Sequence, residues 1–163
     1  MRIAVFGAGA IGGLIAARLA AAGQEVTVVA RGPHLAAMRE HGLRLISGVE
    51  AITTHPRACA NADEAGVQDA VIVTLKAHSL PGVAADIARM MSPETMLVTG
   101  VNGVPYWYFH GLDSPWRGRV VESVDPGGIV TRTLPPSQAI GCVVYPAAEV
   151  IEPGVVEHSY GDR

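Results

Sequence analysis

Three glycines at positions 7, 9 and 12 stand between a short apolar run and an alanine-rich stretch near the start of the chain. The segment Gly7-Ala8-Gly9-Ala10-Ile11-Gly12 has the spacing G-x-G-x-x-G. That pattern suits the capture of a pyrophosphate by bare backbone. Gly7 allows a sharp turn out of a strand, Gly9 lets a diphosphate approach the main chain, and Gly12 lets a helix sit close to the strand. The unpaired N–H groups and the dipole of the first helical turn then favour negative charge. Glycine-rich turns are common, so the spacing gains meaning only from its neighbours.

Those neighbours fit. Residues 2–6 read as a buried strand. Residues 10–22 carry Ile11, Leu14, Ile15 and Leu19 close to helical spacing, and Gly23 stops the helix. Residues 24–30 hold Val26, Val28 and Val29, a second strand. Strand, glycine turn, helix and strand make a βαβ unit with an expected right-handed crossover. Sites for NAD usually place Asp or Glu at the end of the second strand, against the ribose 2′-hydroxyl. Here the strand ends Val28-Val29-Ala30-Arg31-Gly32, and Glu25 lies at its wrong end. A carboxylate repels a 2′-phosphate, whereas a guanidinium binds it through charge-assisted hydrogen bonds. Arg31 therefore favours NADP(H) over NAD(H); the plainer alternative is a solvated loop arginine.

Further elements extend the sheet. Residues 33–42 read as a short helix with Leu35, Met38 and His41 on one face. Residues 43–47 and 49–53 read as a hairpin around Gly48. Residues 69–75 form a buried strand that Lys76 ends, Ser79 is placed to cap the next helix, and Pro81 sits in its first turn. Residues 95–99 make another strand, leaving through Gly100-Val101-Asn102-Gly103. Lys76 is the one lysine among twelve basic residues. It lies at the carboxyl end of a parallel strand, where open α/β sheets bind ligands. It could touch a phosphate or ribose, or be an ordinary surface lysine. Asn102 holds the equivalent place on the next strand. Its amide could hold a nicotinamide amide or a substrate carbonyl, although Asn-Gly is also a common turn. Residues 138–145 and 155–158 read as strands joined by the Glu152-Pro153-Gly154 turn. The fold expected is α/β and Rossmann-like. It has a mostly parallel sheet, helices on both faces and a small β-hairpin near the C-terminus.

Composition narrows the function classes. The 163 residues are 49% hydrophobic and 17% charged, which suits one ordered domain. A net charge of −3 argues against a nucleic-acid partner. No apolar run approaches the roughly 18 residues of a membrane span. Arg2, the apolar residues 3–15 and Ala20-Ala21-Ala22 have the outline of a secretion signal. The frequent glycines and Arg18 argue against one. Cys59 and Cys142 form no spacing pattern and suit free thiols in a reducing cytoplasm. Histidines at 34, 41, 55, 78, 110 and 158 make no ligand cluster, so no metal site is expected. His78, beside Lys76, reads as a loop histidine, with a place in the ligand cleft as the alternative. Tyr106-Trp107-Tyr108-Phe109 and Trp116 supply five of the eight aromatics. They suit a core plug or a surface that meets a second domain or subunit. Glu122 and Asp125 read as solvated loop charges.

Together these motifs resemble the ketopantoate reductase (2-dehydropantoate 2-reductase) family. The carriers are GAGAIGG, Arg31, VTLKA with Lys76, Asn102-Gly103, and GCVVYPAAEVIEPGVVEHS at residues 141–159. The resemblance spans nearly the whole chain. It implies NADPH as cofactor and a small-molecule 2-keto acid as substrate, reduced to pantoate on the route to pantothenate and coenzyme A. It implies that residues 7–12 cradle the diphosphate, and that Arg31 and Lys76 bind the adenosine side, including the 2′-phosphate. Asn102 would lie near nicotinamide and substrate. Ala147, with Ala148 as the alternative, would touch the cofactor. In this family the catalytic lysine and the substrate-binding acid and amide groups lie in a second, helical domain. The expectation is thus an NADP(H)-binding domain over residues 1–163, with the helical catalytic and dimerisation domain outside it. Reducing a ketone needs a proton donor and an alkoxide stabiliser, and Lys76 matches a cofactor position instead. The chain alone is expected to bind cofactor better than it turns over substrate; a homodimer is compatible with the family. Two alternatives stay open: a stand-alone NADP(H)-sensing module, and another nicotinamide-dependent dehydrogenase with the same first domain.

Overall fold

The valine- and isoleucine-rich runs become inner strands of a parallel sheet, because strands covered on both faces need apolar residues at successive positions. The computed structural model describes residues 1–161. In chain order the elements are β1 (Arg2–Phe6), α1 (Ala10–Ala21), β2 (Glu25–Val29), α2 (Gly32–His41), β3 (Leu43–Ser47), β4 (Glu50–Thr54) and β5 (Arg57–Cys59). Next come α3 (Ala62–Ala65), β6 (Ala70–Val73), α4 (Leu80–Ala88), β7 (Met96–Gly100) and α5 (Ile129–Thr133). The chain then forms β8 (Ala139–Cys142), β9 (Ala147–Glu152) and β10 (Val155–Tyr160).

Six strands form the main sheet in the order β5-β2-β1-β6-β7-β8, and every pairing is parallel. Helices cover both faces, as expected. Ala4, Phe6, Val71, Val73 and Leu97 share a core with α3, α4 and α5. Val5, Val26 and Val28 share one with α1 and α2. Val5, Val28, Val71 and Val73 are fully buried, each stabilising the fold by roughly 1.5–3 kcal/mol. From β1 the chain moves out to β2 and β5, then returns to the other side of β1 at β6. The direction of winding reverses between β1 and β6, which opens a crevice at their carboxyl ends.

The second sheet has the order β4-β3-β10-β9. The expected β3–β4 hairpin is present and antiparallel. The C-terminal hairpin also exists, but its first strand is β9 rather than residues 138–145. Residues 139–142 instead extend the main sheet as β8, parallel to β7. Gly141 permits this, because a Cβ there would lie 3.1 Å from the Trp107 ring. The two hairpins join through parallel β3 and β10, a pairing across more than a hundred residues that no local pattern announces.

Helix α1 lies between the two sheets, which explains adjacent glycines on it. A Cβ on Gly13 would sit 2.7 Å from Val156 Cγ2 and 3.7 Å from Leu43 Cδ1. Gly13→Ala gains about 1 kcal/mol of helix propensity, but overpacking costs about 1–3 kcal/mol. Val156 and Leu43 are fully buried and have little room to retreat, so the overpacking cost dominates. Urea denaturation should show a net loss of about 1 kcal/mol; a gain would mean that Val156 yields freely.

Other expectations need correction. Ser79 makes no side-chain cap to α4; a 3₁₀ turn at Ala77–Ser79 runs directly into that helix instead. His41 is exposed rather than on the buried face with Leu35 and Met38. Asp125, read as a solvated charge, is fully buried. Its carboxylate accepts hydrogen bonds from the N–H of Val130 (2.7 Å), the N–H of Thr131 (2.9 Å) and the Thr131 hydroxyl (2.6 Å). Gly127 and Gly128 have φ of 64° and 68°, and these left-handed residues bring the start of α5 back over Asp125. Glu122 stays exposed and accepts from the Gly127 N–H at 2.9 Å.

The aromatic group divides. Tyr106 is core, 3% exposed, and donates to the Leu134 carbonyl at 3.1 Å. Burial, aided by the Asp125 charge, pushes its phenol far above the ordinary value. Tyr108 and Trp116 are 54% and 50% exposed. They flank Phe109, with centroid separations of 5.0 and 6.5 Å, and Arg119 lies 4.9 Å over the Trp116 ring.

Candidate dinucleotide cleft

The glycine turn leaves β1 with Gly7 at φ 95°, a region L side chains rarely adopt. A Cβ there would also lie 2.5 Å from Leu75 Cδ2. The N–H groups of Gly7 and Ala8 both donate to the Val29 carbonyl at 3.2 Å, and Gly9 donates to the Gly7 carbonyl at 2.7 Å. These bonds close the turn. The next three N–H groups, on Ala10, Ile11 and Gly12, belong to the first turn of α1 and have no carbonyl one turn back within the helix. Gly9 caps α1 without a side chain, and no acidic residue stands in the first turn. This helix end is therefore free to take an anion from outside the fold.

Each glycine has its own environment. A Cβ on Gly12 would collide with the Gly7 carbonyl oxygen and lie 2.5 Å from Thr74 Oγ1, so this glycine serves close packing. A Cβ on Gly9 would meet nothing within 4 Å. The protein imposes no steric demand for glycine there, and Gly9 lines the cleft.

The cleft has a volume of about 850 Å³, near the upper end of the ~300–1,000 Å³ usual for ligand pockets. It lies at the switch point and gathers most of the expected residues: Gly7, Ala8, Gly9, Ala10, Ile11, Arg31, Lys76 and Asn102. Among the described residues its titratable side chains are Arg31, His34 and Lys76, and no carboxylate lines it. Arg31 stands at the N-cap of α2 in extended conformation without a side-chain capping bond. Lys76 opens the 3₁₀ turn after β6. Both are exposed, and among the described residues neither has a side-chain ion pair.

Asn102 lines the cleft with its amide already engaged. Its Nδ2 donates to the Val144 carbonyl and its Oδ1 accepts from the Val144 N–H, both at 2.8 Å. This two-point clamp ties the exit of β7 to the exit of β8. One N–H and one lone pair of the amide are left over.

Gly12 and Ala147 are the expected residues that do not line the cleft: Gly12 is buried behind the glycine turn. Ala147 lies exposed in β9, where its carbonyl accepts from the Ser159 hydroxyl at 3.3 Å, and neither it nor Ala148 lines the cleft. Val144 does. The chain passes from β8 through Pro146 into the second sheet, which carries both alanines away. His78 is exposed and also off the cleft wall. The described residues contain no group of three or more His, Cys, Asp or Glu side chains arranged to hold a metal.

His34 was not foreseen. It follows Arg31 by three residues, in the first turn of α2, and that position was the available clue. Its Nδ1 accepts from the Gly154 N–H at 2.8 Å, so the proton of the neutral ring belongs on Nε2, which is buried without a hydrogen-bond partner. Burial lowers its pKa; the Ala8 carbonyl, nearby but outside hydrogen-bond geometry, partly opposes this. Its folded value therefore lies below its unfolded one. The stability it contributes is complete above about pH 6.5 and is lost as pH falls through the folded value. The urea midpoint should drop between neutral and mildly acidic pH. His34→Asn keeps an acceptor near Nδ1 without titrating, and should flatten that part of the profile. An unchanged profile would assign the drop to other groups.

The comparisons with known proteins agree with this geometry. Residues 3–163 match the family model described as ketopantoate reductase PanE/ApbA. The chain is 49% identical over its full length to the 2-dehydropantoate 2-reductase of Mesorhizobium japonicum, covering 50% of that protein. A Ralstonia solanacearum crystal structure superposes with a TM-score of 0.91 at 41% identity, over 98% of this chain and 50% of that one. The crystal structure of 2-dehydropantoate 2-reductase from Porphyromonas gingivalis gives 0.76 at 28% identity, over 100% of this chain and 52% of that one. The chain thus spans about half the length of these relatives. With the motif order, the parallel sheet and the cleft in agreement, the chain belongs to the ketopantoate reductase PanE/ApbA family.

Proposed function

We propose that this chain is the NADPH-binding half of a 2-dehydropantoate 2-reductase, working on a 2-keto acid in pantothenate synthesis. The observation that carries the reading is the cleft itself. It has a helix N-terminus without a side-chain cap and two cationic side chains, Arg31 and Lys76, with no carboxylate among the described residues on its walls. The diphosphate lies on the N–H groups of Ala10, Ile11 and Gly12. Arg31 takes the 2′-phosphate and Lys76 the adenosine side. Asn102 offers its remaining N–H to the nicotinamide or the substrate. Bound NADPH supplies the hydride.

The fit rests on chemistry present in the chain. Open space at Gly9 admits the diphosphate. Arg31 replaces the acid that would repel a third phosphate. The proton donor is a separate matter. The reading gives Arg31 and Lys76 to the phosphate and adenosine side, and, following the family resemblance, places the donor in the second half that the relatives carry. Unpaired Cys59 and Cys142 support the cytoplasm as its compartment.

Turnover tests this division of labour. The chain should bind NADPH yet leave its reduced-nicotinamide absorbance unchanged when ketopantoate is added. Under the same conditions the full-length Mesorhizobium relative should consume it. Turnover by residues 1–163 alone would put the proton donor inside this chain and overturn that division.

A further inference from the structure

We infer that Thr74 is a positioning residue for the diphosphate site, holding the Gly7 carbonyl away from the bound anion; this rests on the NADPH reading above. Thr74 follows β6, and its N–H donates to the Phe6 carbonyl at 3.1 Å. Its hydroxyl donates across the strand ends to the Gly7 carbonyl at 2.8 Å. The Gly9 N–H reaches the same oxygen at 2.7 Å. The Thr74 methyl lies 3.4 Å from the position a Cβ would take on Gly100. From the end of β6, one side chain therefore bonds the exit of β1 and turns its methyl toward Gly100 at the end of β7.

The glycine turn needs such a restraint. Gly7 and Gly9 tolerate many backbone conformations, so the turn does not fix its own peptide orientations. If the Gly7–Ala8 peptide rotated, a carbonyl oxygen would face the anion. Two donors on the Gly7 oxygen keep it turned toward Gly12, and a turn held ready before the ligand arrives loses less affinity to ordering. The branched shape of threonine serves both sides: the hydroxyl bonds the Gly7 carbonyl and the methyl fills the space beside Gly100.

The test compares Thr74→Val and Thr74→Ser in the intact chain, with two ligands. NADPH engages the glycine turn; 2′-AMP engages only the Arg31 end. Valine keeps the methyl and loses the donor, and should weaken NADPH about tenfold while leaving 2′-AMP unchanged. Serine keeps the donor and should bind NADPH within about twofold of the parent. NADPH affinity unaltered by valine overturns the inference, as does an equal loss for both ligands, which marks general loosening. A parent chain that binds no NADPH overturns the functional reading itself, and this inference with it.

Discussion

Replacing Arg31 with alanine weakens NADPH binding about a hundredfold and leaves NADH almost unchanged. A hydrogen bond to a charged group contributes about 1.5–3 kcal/mol, and a guanidinium makes two to one phosphate. About 2.7 kcal/mol corresponds to the expected factor. Arg31 is exposed, so the effect should shrink as salt is raised. Its position argues that it serves a ligand. A cation at a helix N-terminus opposes the macrodipole, and Arg31 occupies the N-cap of α2 without capping it. The variant should therefore keep the parent's urea midpoint. Fluorescence titration of both cofactors at two salt concentrations checks this. Equal losses for NADPH and NADH would remove Arg31 from the 2′-phosphate site.

The largest stability effect belongs to Asp125→Ala, expected to cost about 3 kcal/mol. The carboxylate satisfies two backbone N–H groups at the start of α5 and the Thr131 hydroxyl. Removing it strands those donors in a buried site. Helix α5 also delivers Val130, and the residue after it, Leu134, joins the same core; both are fully buried, so a loosened cap disturbs packing as well. Asp125→Asn should lose less, because one amide oxygen can still accept while the NH₂ faces a donor. Chemical denaturation measures both. An alanine variant within about 0.5 kcal/mol of the parent would mean that Val130 and Thr131 find other acceptors.

The parts of the fold that were legible are those whose residues lie close in sequence. The β1–α1–β2 unit announces itself because apolar runs, three spaced glycines and a stop glycine fall within thirty residues. Arg31, Lys76 and Asn102 were legible because each follows a strand of one parallel sheet, and such strands end on one edge. Distant partners hid the rest. Gly13 looks like a redundant second glycine until Val156 arrives from the far end of the chain. Asp125-Pro126-Gly127-Gly128 has the composition of a solvated turn, and only the return of α5 buries the carboxylate. The break between β8 and β9 falls inside an apolar stretch, Cys142 to Ala148, where Pro146 is the sole punctuation. Asn102 was legible by position, but its clamp on Val144 depends on β8 joining the main sheet.

The most direct measurement is a crystal structure of the chain with NADPH bound. The diphosphate oxygens should lie within about 3.2 Å of the backbone nitrogens of Ala10 and Ile11, with the 2′-phosphate on Arg31. A cofactor bound elsewhere, with the first turn of α1 facing only water, would contradict the assignment of this cleft.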